Sequence, residues 1–330
     1  MSQIKETTMD KVSRRLSKFN PLLELLIVEG IYIIFNWVWL PRARIAGNVA
    51  SEIAGLIMVG VVLIWMSFIS HYFRGRNLDD LGCATPIKYK LLLKKFRNSN
   101  NPRNVLLFFG IYLLIFILFT TNIIDATKLL PVLGPLNMNL VPLIGNFAVV
   151  IISIIEYEVL LFFATRIMLK LENVKESFSA NFVNTFPLLF VLILVTLIEF
   201  PERIESVALV DAMAYMFNYI FWAFVQQVPF MGYVNTQVRE GLERQELITN
   251  HRARKFIAAG ITGGIFAIVH FPAWTLSIIA GFMSFFLSFA YYEKETRNMF
   301  MTCIFHAIFG LIVVFFFDIN MQTTYTALFQ

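Results

Sequence analysis

Charge is scarce in this sequence. Lys, Arg, Asp and Glu together make up 15% of the 330 residues, against about 25% in a soluble globular protein, so the chain lacks the polar surface a water-soluble fold of this size needs. Cysteine is scarcer still. Cys83 and Cys303 are the only two, far apart and without metal-ligand spacing, which argues against a disulfide framework and against a zinc motif. There is no polar stretch long enough to fold a soluble domain, no internal repeat and no low-complexity tract. The net charge of +5 is too small to indicate a nucleic-acid partner.

What is abundant is hydrocarbon. Hydrophobic residues make up 58% of the chain, with 35 Phe, and the mean hydropathy is +0.70. Apolar runs of about 20 residues recur along the whole length, the length needed to cross a bilayer as a helix. The sequence therefore predicts an all-α, polytopic transmembrane bundle of about 8–9 spanning segments: 22–40, 52–70, 105–124, 141–168, 184–200, 208–235, 256–275, 276–292 and 299–317. Only Phe271-Pro272-Ala273 separates the seventh from the eighth, so a kinked or re-entrant element is an alternative there. Residues 1–21, with Met9, Val12, Leu16 and Phe19 at helical spacing among five basic residues, read as an amphipathic segment on the membrane surface. They do not read as a signal peptide, because the apolar run that follows is too long and lacks a small-residue cleavage site.

The basic residues set an orientation. With the N-terminus in the cytoplasm and nine crossings, all but four of the 27 Lys and Arg fall in or beside cytoplasmic pieces; the exceptions are Arg42, Arg44, Lys128 and Arg203. That is the positive-inside bias. It implies a multi-pass protein, of the inner (plasma) membrane if the source is bacterial, whose largest cytoplasmic loop, 71–104, is basic enough to hold anionic lipid. The chain divides into the N-terminal segment 1–21, N-terminal membrane helices 22–204, a membrane core 205–317 and a tail 318–330.

Ionisable and amide side chains inside the apolar runs are few, and in membrane segments such residues mark function by default. Glu29 lies in the first run. Glu156 and Glu158 lie in the fourth, two residues and so about 200° apart on a helix. Gln226 and Gln227 lie in the sixth, followed by Pro229. His270 and His306 lie in separate runs near the C-terminus, which points to one shared polar site; each is otherwise a neutral core histidine bonded to a backbone carbonyl. His71 and His251 lie outside this pair and are expected to be dispensable for function.

The C-terminal half, over about 205–315, resembles the CPBP or Abi family of CAAX-processing and bacteriocin-processing membrane endopeptidases, whose motifs are EExxxR, FxxxH and HxxxN. Here Phe266-Ala267-Ile268-Val269-His270 keeps the second motif. The first reads Gln226-Gln227-Val228-Pro229-Phe230-Met231 and the third His306-Ala307-Ile308-Phe309-Gly310. Ala280-Gly281, Tyr291-Tyr292 and Thr296-Arg297-Asn298, together with the upstream RGRNLDDLG stretch, are also similar to family members. The resemblance implies a CAAX-protease-like core in which the first Glu activates water with the second-motif His. The second Glu and the Arg hold one another, and the third-motif His and Asn stabilise an oxyanion. It places His270, His306, Gln226 and Gln227 at the catalytic positions, and Phe266, Met231, Gly310 and Glu156 are the positions expected to meet substrate.

The departures bear on mechanism. Both carboxylates and the Arg are gone together, which avoids stranding one charge in low dielectric. A glutamine amide orients water but takes up no proton, so His270 is the remaining base among the matched positions, with Glu156, Glu158 or Glu29 as the alternative source of a carboxylate from another helix. Two histidines and neutral amides make a poor zinc site, and no cofactor is expected. Three readings stay open: a CAAX-type endopeptidase cleaving a membrane-associated peptide or protein, a non-catalytic relative binding a membrane peptide, lipid or membrane-protein partner, and a transporter with a Glu/His relay. The resemblance and the lack of a repeat weigh against the last.

Overall fold

The computed structural model describes residues 19–83, 170–206 and most of 212–317; the excepted positions from 207 onward are scattered through 207–225, with 247, 272 and 316. Among these residues all regular structure is helical. The expected N-terminal surface segment, the segments 105–124 and 141–168 with Glu156 and Glu158, and the tail beyond 317 lie outside the described residues.

Helix α1 (Pro21–Ile33) is capped by the Asn20 side chain, which accepts from the Leu22 amide, with Pro21 in the first turn where its missing N–H costs nothing. A π-helical stretch (Ile34–Trp39) carries it into α2 (Leu40–Ile45). Helix α3 (Val49–Ile64) continues through a second π stretch (Trp65–Ile69) into α4 (Ser70–Phe73). Then come α5 (Val174–Glu199), the short α6 (Pro201–Ser206), a π-helix over Val228–Asn235 that runs into α7 (Thr236–Arg244), α8 (His251–Val269), α9 (Trp274–Tyr292) and α10 (Met299–Phe315). Four helical stretches, Pro21–Ala43, Ala50–Phe73, Val174–Glu199 and Trp274–Tyr292, are long and apolar enough to cross a bilayer. This is an integral membrane protein.

Two expectations are refined. The fifth segment, read as 184–200, begins ten residues earlier at Val174. Its first turns carry Ser177, Asn181 and Thr185, all buried, which depress hydropathy while bonding within the helix. Asn181 Nδ2 donates to Ser177 O at 2.9 Å and Thr185 Oγ1 to Asn181 O at 2.7 Å. The seventh and eighth segments are two distinct helices packed as an antiparallel pair. Phe256 meets Phe289 near one end. A β-carbon on Gly263 would lie 2.7 Å from Gly281 O further along, so the two glycines let the backbones touch, as small residues do between membrane helices.

One end of the bundle collects the polar loops. Arg297 Nη1 donates to Asp80 O at 3.0 Å, Met299 N to Gly82 O at 2.8 Å and Tyr291 Oη to Leu81 O at 2.7 Å. Lys170 Nζ pairs with Asp79 at 2.9 Å, Arg76 with Glu240 at 2.7 Å and Lys255 with Glu293 at 3.0 Å. The pieces that the charge bias put on one side of the membrane thus share one end of the fold. Burial pushes the Cys83 thiol in this end up to about 12, so it is no nucleophile.

Candidate active site

His270 ends α8. Its Nδ1 lies 2.8 Å from Phe266 O. A carbonyl only accepts, so Nδ1 carries the proton and Nε2 is left as the basic nitrogen. Phe266, fully buried, lies between the two imidazoles: its ring centroid is 4.6 Å from that of His270 and 5.6 Å, edge-on, from that of His306. His306, 3% exposed on α10, has Nδ1 2.5 Å from Gln227 Nε2. With the amide nitrogen donating, the His306 proton sits on Nε2. The two rings then offer opposite chemistry, one accepting and one donating at Nε2.

Of the two glutamines, Gln227 is the one that meets a histidine. Neighbouring helical residues point about 100° apart, and among the described residues Gln226 has no bond of this kind; its Oε1, like Gln227 Oε1, is buried without a hydrogen-bond partner there. Met231, where the family has Arg, is fully buried and takes a contact from Ser288 Oγ to its sulfur at 3.3 Å. Gly310, where the family has Asn, is covered by Tyr219. A β-carbon there would lie 2.3 Å from Tyr219 Cε1, and the same ring stands edge-on to His306 at 5.6 Å. Sequence reasoning passed over Tyr219, since nothing in its spacing marks it. Glu156, expected near substrate, lies outside the described residues. Among the described residues, no three His, Cys, Asp or Glu side chains converge as metal ligands would.

The other similar elements hold the frame. Arg297 donates to Tyr291 O, Tyr292 O and Asp80 O, capping α9 with a cation at its C-terminus and docking the RGRNLDDLG stretch. Asn298 caps α10 through the Met301 amide and ties it to Lys170 O and Glu172 O. Gly281 is the contact glycine of the α8–α9 pair. A buried network overlooked in the sequence joins the N-terminal helices to this core. Glu24 accepts from Trp65 Nε1, Ser70 Oγ, Tyr233 Oη and the Arg74 guanidinium. Gln237 bonds Ser70 and Arg76, and Arg76 makes a two-pronged pair with Glu240. Glu24 in an apolar run was the available signal.

Residues 208–312 match the family model described as type II CAAX prenyl endopeptidase Rce1-like. Neither a curated protein nor a solved structure matches the chain. The matched residues make up about a third of the chain, and over them this membrane protein is similar to the Rce1-like type II CAAX prenyl endopeptidases.

Proposed function

We propose that the His270–His306 site engages a membrane-associated peptide or protein and hydrolyses it, with His270 Nε2 as base toward water and His306 Nε2–H as donor to the oxyanion. The observation that carries this is that Phe266 stands against both imidazoles, its carbonyl on His270 Nδ1, while Gln227 holds His306 by Nδ1. General-base catalysis contributes about 10²–10⁴ in rate and one oxyanion donor about 10²–10³, so both rings are needed for useful turnover. Gln227 orients His306, Phe266 spaces the two imidazoles, and Tyr219, lying over Gly310, forms the wall beside His306. The protein sits in the plasma membrane with its N-terminus and basic loops on the cytoplasmic side, against anionic lipid. The test is incubation of the purified protein with candidate membrane peptides and mass spectrometry of the products: cleavage that disappears in His270→Ala supports the reading, and intact peptides throughout reject it.

A second reading is favoured by a specific observation. No carboxylate of the described residues bonds either imidazole, Gln227 holds His306, and Tyr219 covers Gly310. This arrangement suits a relative that binds a membrane peptide, lipid or partner protein without chemistry. Stable peptide capture with no products, weakened by His306→Ala, is its signature.

A further inference from the structure

Two acids of α1 have opposite surroundings. Glu24 is saturated with donors from Trp65, Ser70, Tyr233 and Arg74. Glu29, about one and a half turns further on, is 4% exposed, and both of its carboxyl oxygens are buried without a hydrogen-bond partner among the described residues. Burying a charge unpaired is too costly to sustain, and burying even a neutral polar group without a bond costs several kcal/mol in an apolar medium. A packing role gives no reason for an acid there, since Leu or Met would fill the space at lower cost.

The position of Glu29 on α1 is informative. On its near side, Glu24 bonds Tyr233 at 3.3 Å. On its far side, Tyr32 stands edge-on to Phe230 at 6.3 Å, and Phe230 to Phe266 at 5.0 Å. Leu25 and Tyr32 share its buried face. Glu29 therefore lies along the π-helix Val228–Asn235, the segment that follows directly on Gln226 and Gln227, and Phe266 at the end of that ring path touches both histidines. π-helical turns of this kind concentrate at functional sites. The titratable groups along this face are Tyr32 and Tyr233, with His71 edge-on to Tyr233 at 6.1 Å. Glu24 and Arg74 neutralise one another toward the loop end, Arg76 and Glu240 do the same beyond them, and Glu52 lies at the other end of α3.

We infer that Glu29 is a proton-carrying acid of this membrane core, a carboxyl brought from a different helix against the π-helix that follows Gln226 and Gln227. The inference rests on the functional reading above but is read separately from it. In the resting protein Glu29 is the neutral acid; it gives its proton to water that enters the core with a bound ligand, becoming a carboxylate, and takes it back from the hydronium so formed as the ligand leaves.

Dicyclohexylcarbodiimide tests this, because it enters membranes and reacts with protonated carboxyls in apolar surroundings. The acid oxygen bonds to the central carbon of the reagent, the carboxyl proton passes to one of its nitrogens, and nothing leaves, so the modified peptide gains the mass of the whole reagent. With the full chain in lipid nanodiscs, an adduct on Glu29 is expected, declining as pH rises and absent in Glu29→Gln. That variant is expected to fold with equal or higher thermal stability and to lose cleavage or peptide capture about a hundredfold, with Glu29→Asp recovering part of it. Absence of an adduct on Glu29 in the folded protein overturns the inference, as does full function in Glu29→Gln. A wild-type protein that neither cleaves nor captures peptide but is labelled at Glu29 rejects the functional reading and leaves the acid itself established.

Discussion

The edge of the Tyr219 ring occupies the space that a β-carbon on Gly310 would need. Cε1, Cζ and Cδ1 of Tyr219 would lie 2.3, 2.7 and 2.8 Å from it, well inside van der Waals contact. The two residues act as one unit: glycine at 310 is what lets the ring reach His306, and the ring fills what glycine leaves empty. Where the family motif has an Asn side chain on this helix, the space beside His306 is filled by a ring from the chain segment that precedes Gln226.

Gly310→Ala is expected to destabilise the protein by about 1–3 kcal/mol, the usual cost of overpacking. Paired with Tyr219→Leu, the cost should fall below the sum of the two single changes, since residues in contact do not add. Thermal unfolding in detergent of the four proteins closes this cycle; strict additivity would show that the ring and the glycine are independent.

Met231→Arg places a cation in a fully buried thioether position and is expected to cost about 3–5 kcal/mol, the scale of an uncompensated buried charge. Adding Gln227→Glu, four residues earlier, supplies the partner and should recover part of that loss, while disturbing the hydrogen bond to His306 Nδ1. Urea or thermal unfolding of single and double variants measures the recovery.

Arg297→Lys is expected to behave almost like Arg297→Ala. The guanidinium donates to three carbonyls on two segments, and a lysine ammonium, a point donor on a flexible stem, does not reproduce that fork. Hydrogen bonds to charged groups are worth about 1.5–3 kcal/mol each, so the loop at 77–83 should come loose. Limited proteolysis there, unchanged in the wild type, reads the effect.

Glu293 is half-buried, and burial alone would raise its carboxyl. The hydrogen bonds from His251 and Lys255 outweigh burial and hold it below its ordinary value of 4.5. A carboxyl lowered in the folded state stabilises the fold above its unfolded value and loses that contribution as pH falls through the folded value. The stability gap between wild type and Glu293→Gln is therefore expected to be full at neutral pH, to shrink as pH falls below about 4.5, and to shrink with added salt because the cluster is partly exposed. Thermal melts across that range check it; a gap that widens toward acid would contradict the sign.

His270→Ala and His306→Ala are each expected to abolish cleavage or capture, with His251→Ala retaining it. His71, set aside in the sequence, is buried on α4 with Nδ1 3.1 Å from Arg76 Nη1. Its replacement is expected to lower thermal stability while leaving ligand function per folded molecule intact, as peptide binding normalised to monodisperse protein would show.

Much of this was legible along the chain. Hydropathy marked α1, α3 and α9 because a bilayer requires long apolar runs, and the bias of Lys and Arg put 74–83, 170–173, 239–255 and 293–298 on one side because charge stays out of hydrocarbon. The order of short motifs singled out His270 and His306. The first ten residues of α5 were missed because Ser177 and Asn181 bond within the helix, which hydropathy does not register. The sequence by itself determined that the protein is a helical membrane bundle and which residue types its site has at hand. Tertiary structure alone decided that Gln227 rather than Gln226 meets His306, that Tyr219 covers Gly310, and that Glu24 is saturated while Glu29 is bare. Each of these depends on the rotation of one helix about its axis against another, and a linear order of residues carries no record of that angle.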